Sequence, residues 1–341
     1  MQKEITAPLP LLDAEGNLNQ AGYAKSLLPV YRRNHVRASK LRLKEWDYYL
    51  VNNGRFALAL TVADNGYMGM DSVSLLDFET GLNQTTSPMS LLPLGKIGLP
   101  ESSRRGDTVH SGKGYALRFE NPGGGTRVLS VHMERFGPAG ALDGRVTLFD
   151  EPPESMVICT PFPKARHFYF NQKINCLRAR GEVRYGGRTY VFDPADSFGV
   201  LDWGRGVWTY HNTWYWGSAS WQLNGVRCGW NIGYGFGDTG AATENMLFYD
   251  GRAHKLSRVD FHIPGGEKDF LAPWTFSSDD GRFEMDFRPV MDRASCTDLK
   301  LIKSDQHQVF GRFTGRAVLD DGTALEIRDF PGFAEKVENK W

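Results

Sequence analysis

Turn signals recur in this sequence about every 8–12 residues, and no segment between them sustains the 3.6-residue period of an amphipathic helix. That spacing constrains the fold more than any other feature. A long chain of short strands must become a sandwich or a barrel, and closing sheets into barrels removes the open edges through which such a chain would aggregate. Asn52-Asn53-Gly54 separates the strand-like segments 45–51 and 55–63, a strong hairpin signal, and Asp64-Asn65-Gly66 turns the chain into 67–77. These three segments predict a meander. Tyr115, Leu117 and Phe119 alternate with Ala116 and Arg118, Leu129, Val131 and Met133 alternate with Ser130, His132 and Glu134, and Asp320-Asp321-Gly322 sets up another hairpin near the end. Few helices are expected, all short, and the one that can be placed runs over 19–28, capped by Asn19 and stopped by Pro29. A Pro-rich stretch, 151–163, interrupts the strand pattern and is the best candidate junction. The expectation is an all-β chain of two consecutive antiparallel β-barrels, one over 1–160 and one over 161–341. The 341 residues fit two domains of ordinary size.

Charge excludes some function classes. The chain carries 40 Lys+Arg against 40 Asp+Glu, so no overall field draws it to nucleic acid or an anionic membrane. Arg32, Arg33, Arg37, Lys40, Arg42 and Lys44 form a local basic stretch, read as a solvated face or an anion site. No apolar run reaches the ~18 residues of a membrane span. The start, Met1-Gln2-Lys3-Glu4, leads into no apolar signal region, and the four cysteines form no C-x-x-C pair. The reading is a cytoplasmic protein with reduced thiols, no metal and no cofactor.

Aromatic residues are 13% of the chain, and they are not spread evenly. Six of its nine tryptophans fall between Trp203 and Trp230. On a strand, Trp214, Trp216, Ser218, Ser220 and Gln222 share one face, which mixes large rings with hydroxyls and an amide. Such a face resembles a pocket lining more than a dry core, where indole N–H groups need partners. On the next strand Arg227, Gly229, Asn231 and Gly233 share a face whose glycines admit a ring or a ligand. Asp202 and Arg205 are placed on a glycine-flanked turn before this wall. Among tryptophans, burial pushes a carboxyl upward and suits it to act as a general acid; equally, Asp202 and Arg205 can brace the turn. Thr243-Glu244-Asn245 brings a second carboxylate and an amide to a barrel rim, or caps a turn. His211 is a candidate ligand contact within the aromatic segment, or a surface residue. Gly235-Phe236-Gly237-Asp238-Thr239-Gly240 matches G-x-G-x-x-G, but too few residues follow for a crossover helix, so dinucleotide binding is set aside.

Two motifs carry a family resemblance. Gly199-Val200-Leu201-Asp202-Trp203-Gly204 followed by Trp214-Tyr215-Trp216-Gly217 resembles the two-barrel, lipocalin-like proteins related to carotenoid 1,2-hydratase, a group that includes Diels–Alderase enzymes. The stretch from Asp202 through Thr243-Glu244-Asn245, with the ending Phe330-Pro331-Gly332-Phe333-Ala334-Glu335, is more closely similar to domain-of-unknown-function family 2804, over most of the chain. The resemblance implies two calycin barrels and a hydrophobic ligand. It also implies an acid role for Asp202, with Trp214 and Trp216 as ring wall. The sequence departs from the hydratase pattern where Leu201 and Trp203-Gly204 replace the histidines and asparagine around the acid.

Two functions follow as expectations. The first is a cofactor-free enzyme that protonates, isomerises, cyclises or hydrates a small lipid-, polyene- or terpenoid-like substrate. In it Asp202 and Glu244 are catalytic, and Arg205, His211, Trp214, Trp216, Ser218, Asn231 and Asn245 contact the ligand. The second is a lipocalin-like carrier of a hydrophobic ligand, in which the same groups are structural or touch a head group. A purely structural scaffold is a third. Partners beyond the ligand are not expected, save a second copy in a homodimer.

Overall fold

The computed structural model describes residues 2–298 and 303–340. They form two large antiparallel sheets. In the first the order runs Leu82–Thr86, Met68–Asp77, Phe56–Asp64, Leu43–Asn52, Phe198–Val207, Phe168–Tyr185, Gly140–Phe149, Thr126–Gly137, Tyr115–Gly123, Thr108–Gly112. This sheet curls until its ends meet. The side chains of Gln84 and Thr86 donate to the Phe136 carbonyl at 3.0 and 2.5 Å, and His110 and Tyr115 bond Asp71 across the seam. In the second sheet the order is Arg252–Lys255, Met246–Tyr249, Val226–Tyr234, His211–Leu223, Ala324–Lys340, Lys303–Val318, Phe283–Asp298, Trp274–Ser278, Val259–His262. Both are of barrel form, and the chain is all-β as expected. The one α-helix among the described residues is Pro264–Glu267. No described helix is long and apolar enough to cross a membrane.

The hairpins signalled by Asn-Gly turns form where expected. Leu43–Asn52 pairs with Phe56–Asp64, and that strand pairs with Met68–Asp77. Asn53 Oδ1 accepts from the Arg55 and Phe56 amides, which fixes the first turn. The helix expected over 19–28 does not form. Asn19 Nδ2 donates to the Pro10 carbonyl instead of capping, and Gly22–Ala24 is a short strand paired with Met156–Pro161. The Pro-rich 151–163 does not separate the sheets. Its residues Met156–Pro161 pair with Phe168–Tyr185 inside the first sheet. The chain changes sheet later, between Val207 and His211.

The two interiors differ in composition. The first is mostly aliphatic, with Val51, Leu60, Val73, Leu117, Val146 and Leu201 among its buried residues. The second is packed with rings: Trp230 lies edge-on to Phe283 and Phe313 and stacks on Phe330, and Phe276, Phe287 and Trp274 fill the rest. A further apolar cluster joins the sheets face to face, with Tyr48, Leu50 and Val200 from the first against Trp216, Phe310 and Phe333 from the second.

Candidate functional site

Alternation along one strand decides where the sequence candidates go. Phe198–Val207 is continuous strand at the centre of the first sheet, so Asp202 and Arg205 are not on a turn. The run is apolar or glycine around them, pairs on both sides and has no punctuation beyond single glycines, which strands tolerate where a neighbour approaches closely. Gly204 is such a place: a Cβ there would lie 1.9 Å from the Trp46 ring. Odd positions Leu201, Trp203 and Val207 join the first sheet's interior, and Arg205 goes with them. Its guanidinium is fully buried, 3.0 Å from Asp47 and 3.7 Å from Glu45, and lies 4.2 Å from the Trp203 ring. It also donates to the carbonyls of Trp46, Gly204 and Pro100. Arg205 therefore neither braces Asp202 nor faces the aromatic wall. Asp202 points the other way, toward the second sheet.

The cross-strand register sets Lys173, Asp202 and Tyr48 abreast on the first sheet. On the facing sheet it sets Gly233, Trp216, Glu335, Gln308 and Arg293 abreast. Between these rows lies a buried polar cluster. Asn171 Nδ2 donates to Asp202 Oδ1 at 2.5 Å. The Lys173 ammonium stands 3.7 Å from Asp202, 3.6 Å from Glu244 and 3.6 Å above the Trp216 ring. These carboxylates attract it by charge at more than hydrogen-bond length. Trp214 Nε1 and Gln308 Nε2 donate to the two oxygens of Glu335 at 3.0 and 2.9 Å. Tyr48 reaches Gln308 at 3.4 Å. Burial holds the Glu335 carboxyl above its usual range, opposed by the Trp214 bond and by the charges of Lys173 and Arg293. Burial, reinforced by Glu244, Asp202 and Glu335, pushes the Tyr169 phenol well above its ordinary value.

The other sequence candidates divide into three groups. Trp214 and Trp216 do share the face that meets the first sheet, and both indoles are bonded; Trp216 Nε1 donates to Asn231 Oδ1 at 2.7 Å. Asn231 in turn donates to the Glu244 carbonyl at 2.8 Å and so fixes the loop that carries that carboxylate. Asn245 and Ser218 are bracing groups at the cluster's edge. Asn245 accepts from the Gly233 amide and donates to the Ser257 carbonyl, while Ser218 accepts from Asn175. His211 lies apart on the surface, 3.1 Å from Glu338. It lines a shallow open hollow of about 580 Å³ with Phe162, Thr209, Tyr215 and Gly235. Between hollow and cluster stands a plug of rings. Phe236 meets Trp208 at 4.7 Å, Tyr169 at 4.9 Å and Trp214 at 5.3 Å, all near edge-on. The G-x-G-x-x-G segment is the loop that carries Phe236, and it joins two antiparallel strands, as the missing crossover required.

Lys173, Asn171, Glu335 and Tyr169 were not candidates on sequence grounds. A signal for the first two was present: Asn171, Lys173 and Asn175 recur at every second position of one strand, just after Phe168-Tyr169-Phe170. Glu335 ends an apolar run from Phe330. Two polar atoms at the site have no hydrogen-bond partner among the described residues, the Asn171 Oδ1 and the Trp208 Nε1. Among the described residues no group of three or more His, Cys, Asp or Glu is placed to hold a metal ion.

Comparison with known proteins bears mainly on the fold. The family model described as Domain of unknown function (DUF2804) matches residues 2–341. No curated protein matches the chain in sequence. Among solved structures, the AttH candidate from Nitrosomonas europaea is 12% identical, with a TM-score of 0.53 over 91% of this chain and 96% of that one. CghA is 11% identical, with a TM-score of 0.54 over 100% of this chain and 97% of that one. Kievitone hydratase from Nectria haematococca is 10% identical, covering 98% of both chains with a TM-score of 0.45. At these identities the likeness to the first two is one of fold.

Proposed function

We propose, on the premise that this chain belongs to the family described as Domain of unknown function (DUF2804), that it binds a small hydrophobic ligand between its two sheets and moves a proton on it without a cofactor. On this reading the two units are 1–207 and 211–341, and the site lies between them rather than inside either barrel. The observation that carries it is the cluster itself. Lys173 is shared by Asp202 and Glu244 on the face of Trp216, beside a Glu335 carboxyl whose proton is favoured by burial. A proton donor in an apolar, ring-lined space is what addition to an alkene or an isomerisation requires. The orphan Asn171 Oδ1 and Trp208 Nε1 supply one acceptor and one donor for a polar group of the ligand. Access runs from the surface hollow past Phe236, whose loop turns on Gly235 and Gly237 at φ +89° and +75°. In this scheme Asp202 and Glu244 hold the ammonium, Trp214 and Trp216 shape the ligand, and His211 meets it only at the mouth.

A carrier function is favoured by one feature: the Asp202 carboxylate already accepts from Asn171 and lies beside the Lys173 ammonium. Native mass spectrometry of protein recovered from its source cells names the bound molecule. That molecule is then followed for conversion by wild type, Glu335→Gln and Asp202→Asn. Retained binding with lost turnover supports the enzyme; no conversion by wild type of any molecule it retains leaves the carrier.

A further inference from the structure

The balanced net charge hides a segregation. Residues 16–44 hold seven lysines and arginines and not one Asp or Glu, and residues 80–100 hold Lys96 and again no carboxylate. The fold brings the two segments together around one turn. The Leu92 and Leu94 amides donate to the Tyr67 and Gly66 carbonyls, while a Cβ on Gly66 would lie 2.3 Å from the Lys40 carbonyl. Five of the large apolar side chains that this protein exposes stand on these segments: Val30 at 43%, Leu41 at 46%, Met89 at 60%, Leu91 at 87% and Leu92 at 53%. Leu92 and Leu94 also sit in the left-handed region, at φ 52° and 53°. Leucine is costly there and glycine or asparagine would be easier, so strained backbone holds up an apolar tip. Lys40 and Lys96 are exposed beside it. The acids that touch this end are already engaged: Glu101 with Arg32 and Arg33, and Asp64 with the Gly66 and Gly95 amides.

We propose that this end of the first barrel docks on an anionic lipid surface, with Leu41, Met89, Leu91 and Leu92 entering the interface and the flanking cations meeting lipid phosphates. Apolar tips in a cationic collar are the combination that interfacial binding uses, and neither half alone is enough for stable attachment. The patch is continuous with the mouth of the candidate site, since Arg42 Nη2 donates to the carbonyl of Trp208, one of the rings that close it, at 2.7 Å. Docking stands without the site's chemistry; only its consequence, a ligand taken directly from the bilayer, rests on the function proposed above.

The test is flotation of the whole protein with phosphatidylcholine vesicles, with and without phosphatidylglycerol at about one third of the lipid. Binding is expected only with the anionic lipid, and it should weaken as salt rises. Leu91→Ser with Leu92→Ser should lower partitioning at least about tenfold at an unchanged melting temperature. Met89→Ser alone should lower it less, which covers the case of a misfolded double variant. Lys40→Glu with Lys96→Glu should remove the preference for phosphatidylglycerol. Equal binding to both vesicles, no binding to either, or binding indifferent to the leucine variants overturns the proposal. So does concentration-dependent dimerisation that the leucine variants abolish, which would assign the patch to a second copy of the chain. None of these readouts needs the bound ligand or turnover, so a failed Asp202→Asn assay leaves the docking result standing.

Discussion

Arg205 and Asp202 are three residues apart on one strand, and each anchors a group of buried charge on opposite faces of the sheet. Burial alone does not tell the two groups apart, but geometry does. Around Arg205 the guanidinium makes four hydrogen bonds of 3.0 Å or less, and its Nε lacks a hydrogen-bond partner among the described residues. Asp47 accepts from Arg205 at 3.0 Å and from Thr108 at 2.5 Å, and Glu45 accepts from Tyr31 and Arg33, each at 2.8 Å. Around Asp202 the Lys173 ammonium is held at 3.6–3.7 Å, a third carboxyl is bonded only by neutral groups, and a buried amide oxygen is left over. The first arrangement is a closely bonded brace inside a closed sheet. The second keeps unspent polarity between two sheets, as a binding or proton-transfer site needs.

The largest effect that tests this contrast is Arg205→Met. It leaves buried Asp47 without its cation and three backbone carbonyls without this donor, while Glu45 keeps Arg33, and urea unfolding should show a loss of about 3–5 kcal/mol. A loss below about 1 kcal/mol would erase the distinction. Lys173→Met should cost less, about 2 kcal/mol, because Asp202 keeps its bond to Asn171 and the ammonium stands far from both carboxylates. Its ligand affinity should fall more than its stability suggests. Next comes Glu335→Gln. A carboxyl raised above its unfolded value contributes stability that is present below that value and is lost as pH rises through the raised one. Wild type should therefore decline relative to Glu335→Gln as pH increases across that window, and parallel urea curves at several pH values would read it. The opposite slope would mean that Glu335 is ionised and paired. The smallest effect is His211→Ala at the surface, where a solvent-screened pair with Glu338 should give less than about 0.5 kcal/mol.

What the sequence made legible follows from the range of the forces involved. Asn52-Asn53-Gly54 and Asp64-Asn65-Gly66 specify their turns with their own side chains, so those hairpins were readable without the rest of the molecule. The same local logic misplaced Asn19, whose amide found a carbonyl nine residues back instead of a helix N-terminus. It also drew attention to the prolines of 151–163, whereas the sheets part at Trp208-Thr209-Tyr210, which carries no turn residue and has Trp208 buried. In the site, Asp202, Trp214, Trp216 and Glu244 were legible because rings and carboxylates crowd one segment. Lys173, Glu335 and Gln308 come from strands far away in sequence, and only the register of two sheets brings them opposite. Arg205 stood near Asp202 in sequence, yet the period of two sends its side chain to the other face.

The strand that bears Asp202 is the last of the first sheet's strands in chain order, yet it lies in the middle of that sheet, between Leu43–Asn52 and Phe168–Tyr185. As the polypeptide leaves the ribosome, the meander after residue 43 and the run up to residue 185 have no main-chain partner for their inner edges until residues 198–207 emerge. A nascent chain of this protein must thus wait with two open edges, and one central segment then zips both halves at once. Folding should be slow and highly cooperative, as expected where partners are far apart in sequence, with aggregation risk concentrated in the interval before that strand arrives. Substitutions in 198–207 would then show as poor yield during synthesis before any loss of activity could be measured.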